Sequence, residues 1–343
     1  MAYTTINKPS EYFNTKLYTG TGSTQSITGV GFQPDFLWIK SRGLARSHQI
    51  NDAVRGAGKI IATDNSSVEF TDTNRITTLD SDGFTLGSND NVNGSSDNLV
   101  SWNWLANGAG VSNTDGDITS TVSANTTSGF SIVKWTGTGS NGTIGHGLGV
   151  APKMVIVKSL ANISYWMVYH ASLGNAQEIY LNSTSASQAS TTWNSTTPTS
   201  TVISLNGGAG NGVNYSGDYI AYCFAEKKGY SKFGSYTGNN NADGTFIYTG
   251  FKPAWVLFKR SSATENWSLY DNKRLGYNPQ SYGLRPNIDS AESEYATTAS
   301  VDFVSNGFKI REAGTNINNG TYIYLAFAEE PLVGTNNIPA TAR

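Results

Sequence analysis

The chain has 343 residues, a formal net charge of −2 and 14% charged side chains, well below the roughly 25% of average soluble proteins. This balance argues against nucleic acid or an anionic membrane as a partner, and the single cysteine, Cys223, excludes an intrachain disulfide. Aromatic residues make up 12%, too many for a disordered chain, and the abundance of Ser, Thr, Asn and Gly (39, 38, 34 and 37 residues) is typical of β-structure with many turns.

Residues 1–16 are predicted to form an N-terminal extension ahead of the first repeated pattern. They contain neither the basic start nor the apolar stretch of a secretory signal. No apolar run in the chain reaches the roughly 18 residues of a membrane-spanning helix. We therefore expect neither signal-dependent secretion nor insertion into a membrane.

One pattern occurs three times along the chain. Each copy has an aromatic-Thr-Gly start, a proline followed six residues later by a lysine, and a closing aromatic 70, 72 or 74 residues after that proline. The prolines and closing aromatics are Pro34 with Trp104, Pro152 with Phe224, and Pro253 with Phe327. A register kept over such a distance indicates internal repeats. It predicts units at 17–106, 129–228 and 229–330, a polar linker at 107–128 and a C-terminal tail at 331–343.

Within each unit only strands are predicted. The apolar run after each proline predicts a buried strand, and the aromatic run that follows predicts its partner. These runs are 36–40, 154–158 and 255–259, with partners at 166–169 and 267–270. Asp-Gly at 82–83 and Asn-Gly at 306–307 predict hairpins, and long closing strands are predicted at 219–225 and 322–328. The chain is therefore predicted to be all-β, with tandem β-sandwich domains of a lectin-like or jelly-roll-like type.

Several stretches of the first unit resemble one known family. They are residues 12–20, the strand at 33–41, the turn at 52–56, the hairpin at 80–87 and the aromatic closing strand Leu99–Trp104. The family is a β-rich domain of unknown function in virion structural proteins of tailed, often marine, bacteriophages. The second unit departs from its pattern, because His170 replaces the turn aspartate and no arginine precedes Gly174.

This resemblance implies a non-enzymatic virion component with a lectin-like sandwich fold. It implies a place in the tail or tail fibre, where the N-terminal extension docks to other virion proteins and the distal units meet the host surface and its glycans. A capsid decoration or head-fibre role is the open alternative within this class. Phage fibres suggest a homo-oligomer, with a trimer favoured, although three units in one chain could supply a pseudo-threefold monomer. The expected location is the virion, after synthesis in the host cytoplasm and release by lysis.

Few residues have the pattern of a catalytic or metal site. His48, His146 and His170 lack the spacing of a metal-binding pair, and His48 stands where the other units have Trp166 and Trp267, which predicts a packing role. No facing pair of carboxylates of the glycosidase type is recognisable. We therefore predict no catalytic residue, no cofactor and no metal.

Two Asp-x-x-Arg motifs, Asp52–Arg55 and Asp271–Arg274, stand shortly before a glycine. We interpret each as an Asx-turn closed by a local ion pair, rather than as a site for a sugar or a metal. Glu292 and Glu294 lie in a polar stretch and are expected to be solvated. Calcium binding by the Asp-rich loops at 89–97 or 115–117 stays open.

Three aromatic residues in polar loops are candidates for stacking on a sugar ring, namely Trp193, Tyr277 and Tyr282. Their loops have no counterpart in the first unit and are interpreted as additions specific to one copy. Two functions outside the phage class remain as alternatives, a secreted carbohydrate-binding adhesin and a carbohydrate-active enzyme. The missing secretory signal weakens the first, and the missing carboxylate pair weakens the second.

Overall fold

The computed structural model describes residues 3–208, 213–295 and 299–334. Within these ranges the helical segments are short, a 3-10 turn at Pro9–Glu11, α1 at Asp90–Asn93 and α2 at Thr315–Asn318, and all other regular structure is β-strand. The predicted all-β class is confirmed, and each of the three units is a sandwich built from antiparallel sheets.

The first unit packs a six-stranded sheet against a three-stranded one. Its strands are β1 (Phe13–Thr19), β2 (Gln25–Thr28), β3 (Phe36–Ser41), β4 (Gln49–Asp52), β5 (Lys59–Ala62), β6 (Phe70–Thr71), β7 (Ile76–Asp80), β8 (Gly83–Leu86) and β9 (Asn98–Trp104). The large sheet has the order β1-β9-β3-β4-β5-β6 and the small one β2-β8-β7. The buried strand and the Asp-Gly hairpin are confirmed as β3 and β7–β8.

The second unit has an eight-stranded and a two-stranded sheet. Its strands are β10 (Val111–Asn113), β11 (Ser120–Asn125), β12 (Phe130–Gly137), β13 (Gly142–Gly145), β14 (Met154–Ser159), β15 (Met167–His170), β16 (Gln177–Tyr180), β17 (Gln188–Ala189), β18 (Val202–Leu205) and β19 (Gly217–Phe224). The large sheet has the order β10-β11-β12-β19-β14-β15-β16-β17, and β13 pairs with β18.

The third unit has a four-stranded, a three-stranded and a two-stranded sheet. Its strands are β20 (Ser231–Asn239), β21 (Phe246–Tyr248), β22 (Phe251–Arg260), β23 (Trp267–Asp271), β24 (Tyr282–Gly283), β25 (Ser293–Glu294), β26 (Val301–Val304), β27 (Gly307–Ile310) and β28 (Asn319–Pro331). The main sheet has the order β20-β28-β22-β23, the facing sheet β21-β27-β26, and β24 pairs with β25. The Asn-Gly hairpin is confirmed as β26–β27.

The predicted linker at 107–128 is wrong. Strands β10 and β11 lie within it and extend the large sheet of the second unit, where β11 pairs with β12 in the register Val122↔Val133. Val122 is buried in the core of that unit. Because the apolar positions of β11 are few and set among Ser, Thr and Asn, the polar composition hid a sheet strand.

The strand after each proline is apolar throughout because both of its faces are buried. In β3 all six residues are buried. Leu37 and Ile39 point into the core between the two sheets of the first unit. Phe36 and Trp38, on the opposite face, point into a second core that draws side chains from all three units.

We call this second core the central core. Its members include Phe36, Trp38, Trp104, Phe130, Ile156, Tyr222, Phe224, Trp255, Leu257 and Phe327. Aromatic rings join the units in pairs, with centroid distances of 4.3 Å for Phe36–Tyr222 and 5.6 Å for Trp104–Trp255. The ring centroids of Phe224 and Phe327 are 6.0 Å apart. The three sandwiches therefore pack around a shared core and are not independent tandem domains.

The predicted N-terminal extension at 1–16 is wrong in its extent. Its last four residues belong to β1, which pairs with β9 in the register Phe13↔Trp104. The described residues before β1, from Tyr3 onwards, contact the third unit and the shared core. The Tyr3 hydroxyl donates to the carbonyl of Gly250 at 2.9 Å, and Ile6 is buried in the central core. Most of the predicted tail, residues 335–343, lies outside the described ranges.

Candidate functional site

Equivalent positions join the three units in a closed ring. In each unit a backbone amide, 35 residues after the proline in the first two units and 39 in the third, donates to the carbonyl eight residues after the proline of the next unit. These bonds are Glu69 to Leu160 at 3.0 Å, Ser187 to Ser261 at 3.0 Å and Glu292 to Arg42 at 2.8 Å. Because the third bond leads from the third unit back to the first, the set has cyclic order. We refer to this arrangement as the ring.

A second contact of the ring uses indole groups. Trp166 Nε1 donates to the carbonyl of Ala62 at 2.9 Å, and Trp267 Nε1 donates to the carbonyl of Tyr180 at 2.8 Å. His48 holds the equivalent place in the first unit, is fully buried, and accepts a hydrogen bond at Nδ1 from a tryptophan of its own unit. Burial holds the pKa of His48 well below its usual value, so the imidazole is neutral. The predicted packing role of His48 is confirmed.

The first Asp-Arg motif is an Asx-turn closed by an ion pair, as predicted. Asp52 Oδ1 accepts the backbone amide of Arg55 at 2.9 Å, and Asp52 Oδ2 lies 2.5 Å from Arg55 Nε. Arg55 also binds Glu69 at 3.1 Å. The sequence did not indicate that Tyr222 of the second unit donates its hydroxyl to Asp52 Oδ2 at 2.7 Å. The motif therefore joins the first and second units, with the side chains of Asp52 and Arg55 almost fully buried.

The second motif makes the same connection between the third and first units. Asp271 Oδ2 lies 2.6 Å from Arg274 Nε, and Trp102 Nε1 of the first unit donates to the same oxygen at 3.0 Å. Glu292 binds Arg274 at 2.6 Å and Arg42 of the first unit at 2.9 Å. The expectation that Glu292 is solvated is therefore wrong, because its carboxylate is 7% exposed and holds two arginines.

The contact between the second and third units replaces every member of this set. His170 stands in place of the aspartate and Leu173 in place of the arginine. Ser187 stands in place of the glutamate, and Leu325 in place of the aromatic donor. His170 Nε2 is hydrogen-bonded to the carbonyl of Tyr324 at 3.2 Å. The replacements on the two sides of this interface therefore match each other. Since Leu325 has no donor to offer, an aspartate at position 170 would be buried without one of the partners that Asp52 and Asp271 have.

Burial lowers the pKa of His170 to about 4, which makes the fold sensitive to acid. Since the ordinary histidine pKa is about 6.5, the unfolded chain binds more protons than the folded protein between these two values. We expect this group to lower the free energy of unfolding by about 3 kcal/mol as the pH falls from about 6.5 to 4. Urea unfolding of wild type and His170→Gln at a series of pH values checks this, since other groups cancel in the difference. A difference that stays constant across the window contradicts it.

The lysine six residues after each proline is also structural. Burial lowers the pKa values of Lys40, Lys158 and Lys259 to about 8 each. A lowered lysine pKa is a feature of some catalytic amines. Here, however, each ammonium donates to the carbonyl of the residue that follows it, at 2.8, 2.8 and 2.7 Å, and is therefore held in place by the backbone.

The prediction that Trp193 stacks on a sugar is wrong. Its side chain is fully buried, packed edge-on against Tyr169 at a centroid distance of 5.6 Å in the core of the second unit. Its Ser- and Thr-rich loop folds back over that core, and the neighbouring polar residues gave no sign of this. Tyr277 is 67% exposed. Tyr282 is half-buried in β24, and only Tyr277 of these two lines the groove of about 460 Å³ beside Lys252 and Glu329.

A cleft that the sequence did not indicate opens between the first and second units, with a volume of about 710 Å³. We call it the Tyr165 cleft. Its lining is Asn65 and Ser66 of the first unit with Ser159, Asn162, Ile163, Ser164, Tyr165, Met167, Asn182, Tyr215 and Tyr219 of the second. Ile163, Tyr165 and Tyr215 are exposed by 79, 51 and 48%. The one signal in the sequence was an isoleucine and a tyrosine within the short polar turn between β14 and β15.

The described ranges of the chain contain no group of three or more His, Cys, Asp and Glu side chains placed to hold a metal ion. In the same ranges no helix has the length and apolar character needed to cross a membrane.

Comparison with known proteins identifies the family. A family described as a domain of unknown function, DUF7483, matches residues 8–331, a range that includes all three units of the ring. No curated protein matches the chain. Since the match spans nearly the whole sequence, the chain belongs to the DUF7483 family.

Proposed function

We propose that the protein is a non-enzymatic structural component of a tailed-bacteriophage virion. Its proposed place is the tail or tail fibre, where it takes part in assembly and in attachment to the host surface. The resemblance of the first unit to virion proteins motivates this proposal. The observation that carries it is the closed ring, in which buried charged motifs hold two of the three contacts between units.

This use of charged residues favours a structural role over an enzymatic one. Catalytic carboxylates must reach a substrate, usually in a cleft. Asp52 and Asp271 are instead enclosed between units and fully engaged by arginine and by a donor from the neighbouring unit. The small net charge also suits packing among many copies without strong steering fields.

A position on the head is the second candidate, either as a decoration protein or as a head fibre. The ring favours this candidate in one respect, because a single chain presents three similar edges and could cover a threefold position as a monomer. A homotrimer is the expectation for a fibre. Sedimentation of the purified chain separates a monomer from a trimer.

Immunogold labelling of purified virions, together with mass spectrometry of their proteins, tests the proposal. We expect the chain in purified particles, with gold at the tail. Gold on the head would replace the tail assignment with the head alternative. Absence from purified particles, or release of reducing sugar from polysaccharides by the purified chain, would contradict the proposal.

A further inference from the structure

We propose that the Tyr165 cleft binds an uncharged saccharide. This inference rests on the proposed attachment role for the source of the sugar, a glycan of the host surface. The proposed binding of a sugar is argued from the residues that line the cleft. It replaces Trp193, which is buried, as the predicted place of sugar contact.

The apolar part of the cleft suits the face of a sugar ring. Tyr165 and Tyr215 offer partly exposed aromatic rings, which present an apolar body and a polar tip. Tyr165 is held in a fixed plane because it stacks on Tyr180, with the ring centroids 4.4 Å apart and the planes 14° apart. A rigid aromatic platform needs little ordering when a ligand binds.

The polar part supplies oriented hydrogen-bond donors. Asn65 Oδ1 accepts the amide of Ser67 at 3.0 Å, and Asn182 Oδ1 accepts the amide of Trp166 at 2.9 Å. These bonds fix both side-chain amides, and within the described part of the chain neither Nδ2 group has a partner. Two fixed amide donors beside aromatic rings match the hydroxyl oxygens of a sugar.

The charge of the cleft selects for a neutral ligand. No charged side chain is among the described residues that line it. The ammonium of Lys158, a fully buried residue, is held by two lining residues, Ser66 O at 3.3 Å and Ser164 Oγ at 3.1 Å. An acidic sugar or a phosphate would therefore lose hydration without meeting an ion-pair partner.

The cleft is specific to this interface, although the ring is built from equivalent parts. The positions of Ile163 and Tyr165 hold Ala45 and Ser47 in the first unit, and Thr264 and Asn266 in the third. The apolar side chains are therefore not required to close the ring. A ligand would account for the exposure of these two side chains in the second unit.

A glycan array probed with the purified full chain tests the inference, using neutral and acidic glycans on one slide. We expect binding to at least one neutral glycan, weakened about tenfold by Tyr215→Ala and by Asn182→Ala. Tyr248→Ala removes a tyrosine of the third unit that is 53% exposed and does not line the cleft, and it should leave binding unchanged. Thermal unfolding of each variant checks that the fold is retained.

Three results would overturn the inference. They are no binding to any neutral glycan, binding to acidic glycans alone, and binding that Tyr215→Ala leaves unchanged while Tyr248→Ala abolishes it. The test is independent of the virion location. If the chain binds neutral glycans through the cleft but is absent from virions, the binding site stands and the proposed virion function is contradicted. If the chain is present in virions but binds no neutral glycan, the virion function stands and the binding site is contradicted.

Discussion

Replacing Arg55 with leucine is expected to lower the free energy of unfolding by about 3–5 kcal/mol. Arg55 is almost fully buried and holds Asp52 and Glu69, and its removal leaves Asp52 as a buried carboxylate without its counter-charge. Only two neutral donors to Asp52 would remain, the hydroxyl of Tyr222 and the backbone amide at position 55. Urea unfolding at pH 7 measures the loss, and Arg274→Leu should give a loss of the same size at the equivalent interface.

The protein itself contains the matched control for this change. The second and third units meet through His170, Leu173, Ser187 and Leu325 at the four equivalent positions. We expect the combined variant Asp52→His, Arg55→Leu, Glu69→Ser and Tyr222→Leu to be more stable than Arg55→Leu alone, because no unpaired charge remains. Buried ion pairs replaced as a set by apolar groups often cost little, whereas half of a pair is costly.

An exposed ion pair serves as the negative control. Lys232 and Glu226 lie 2.8 Å apart with both side chains about one-third exposed, and Lys232→Ala should change the free energy of unfolding by less than about 1 kcal/mol. If Arg55→Leu costs no more than Lys232→Ala, the buried motif does not hold the ring. A combined variant less stable than the single one would contradict the equivalence of the interfaces.

Replacing Trp104 with alanine is expected to destabilise all three units together, by about 3–5 kcal/mol. Its ring lies 5.2 Å from that of Phe36 in its own unit, and 5.6 and 5.5 Å from those of Trp255 and Phe327 in the third unit. The cavity would therefore open in the central core, where collapse of one unit cannot fill it without moving another.

Hydrogen exchange distinguishes a shared core from three independent ones. In Trp104→Ala, amides of β22 and β28 in the third unit should lose protection as much as those of β3 and β9 in the first. Tyr277→Ala, at an exposed side chain, should alter the free energy of unfolding by less than about 0.5 kcal/mol. Protection in the third unit that stays at the wild-type level in Trp104→Ala would show that the units unfold separately.

The strands were predictable from the sequence because their signals are local. A proline, a run of apolar residues and a lysine marked β3, β14 and β22, and Asp-Gly or Asn-Gly marked the hairpins. The repeated spacing also made His48 recognisable as a packing residue. The same locality explains the misjudged linker, because the strand β11 is defined by its pairing with β12 and not by its own composition.

The ring and the Tyr165 cleft depend on contacts between distant parts of the chain. Tyr222 lies 170 residues from Asp52 in the sequence, and the residues around one give no indication of a contact with the other. One sign was available: the second unit lost its Asp-Arg motif at His170 while the third unit carried Leu325 in place of an aromatic donor. Read together, these changes point to a contact between the two positions. The prediction for Trp193 was wrong because it relied on the polar residues next to it in sequence, whereas in the fold its ring packs against Tyr169.

The two ends of the described chain share one hydrogen-bond acceptor. The carbonyl of Gly250 accepts the hydroxyl of Tyr3 at 2.9 Å and the backbone amide of Leu332 at 3.3 Å. The path of the chain therefore returns to its starting point after one circuit of three units. Chain termini that lie close together are the condition for circular permutation. A chain that starts between two units and has a linker from position 332 to position 3 would carry the same three interfaces, so the order of the units along the sequence is separable from the architecture they build.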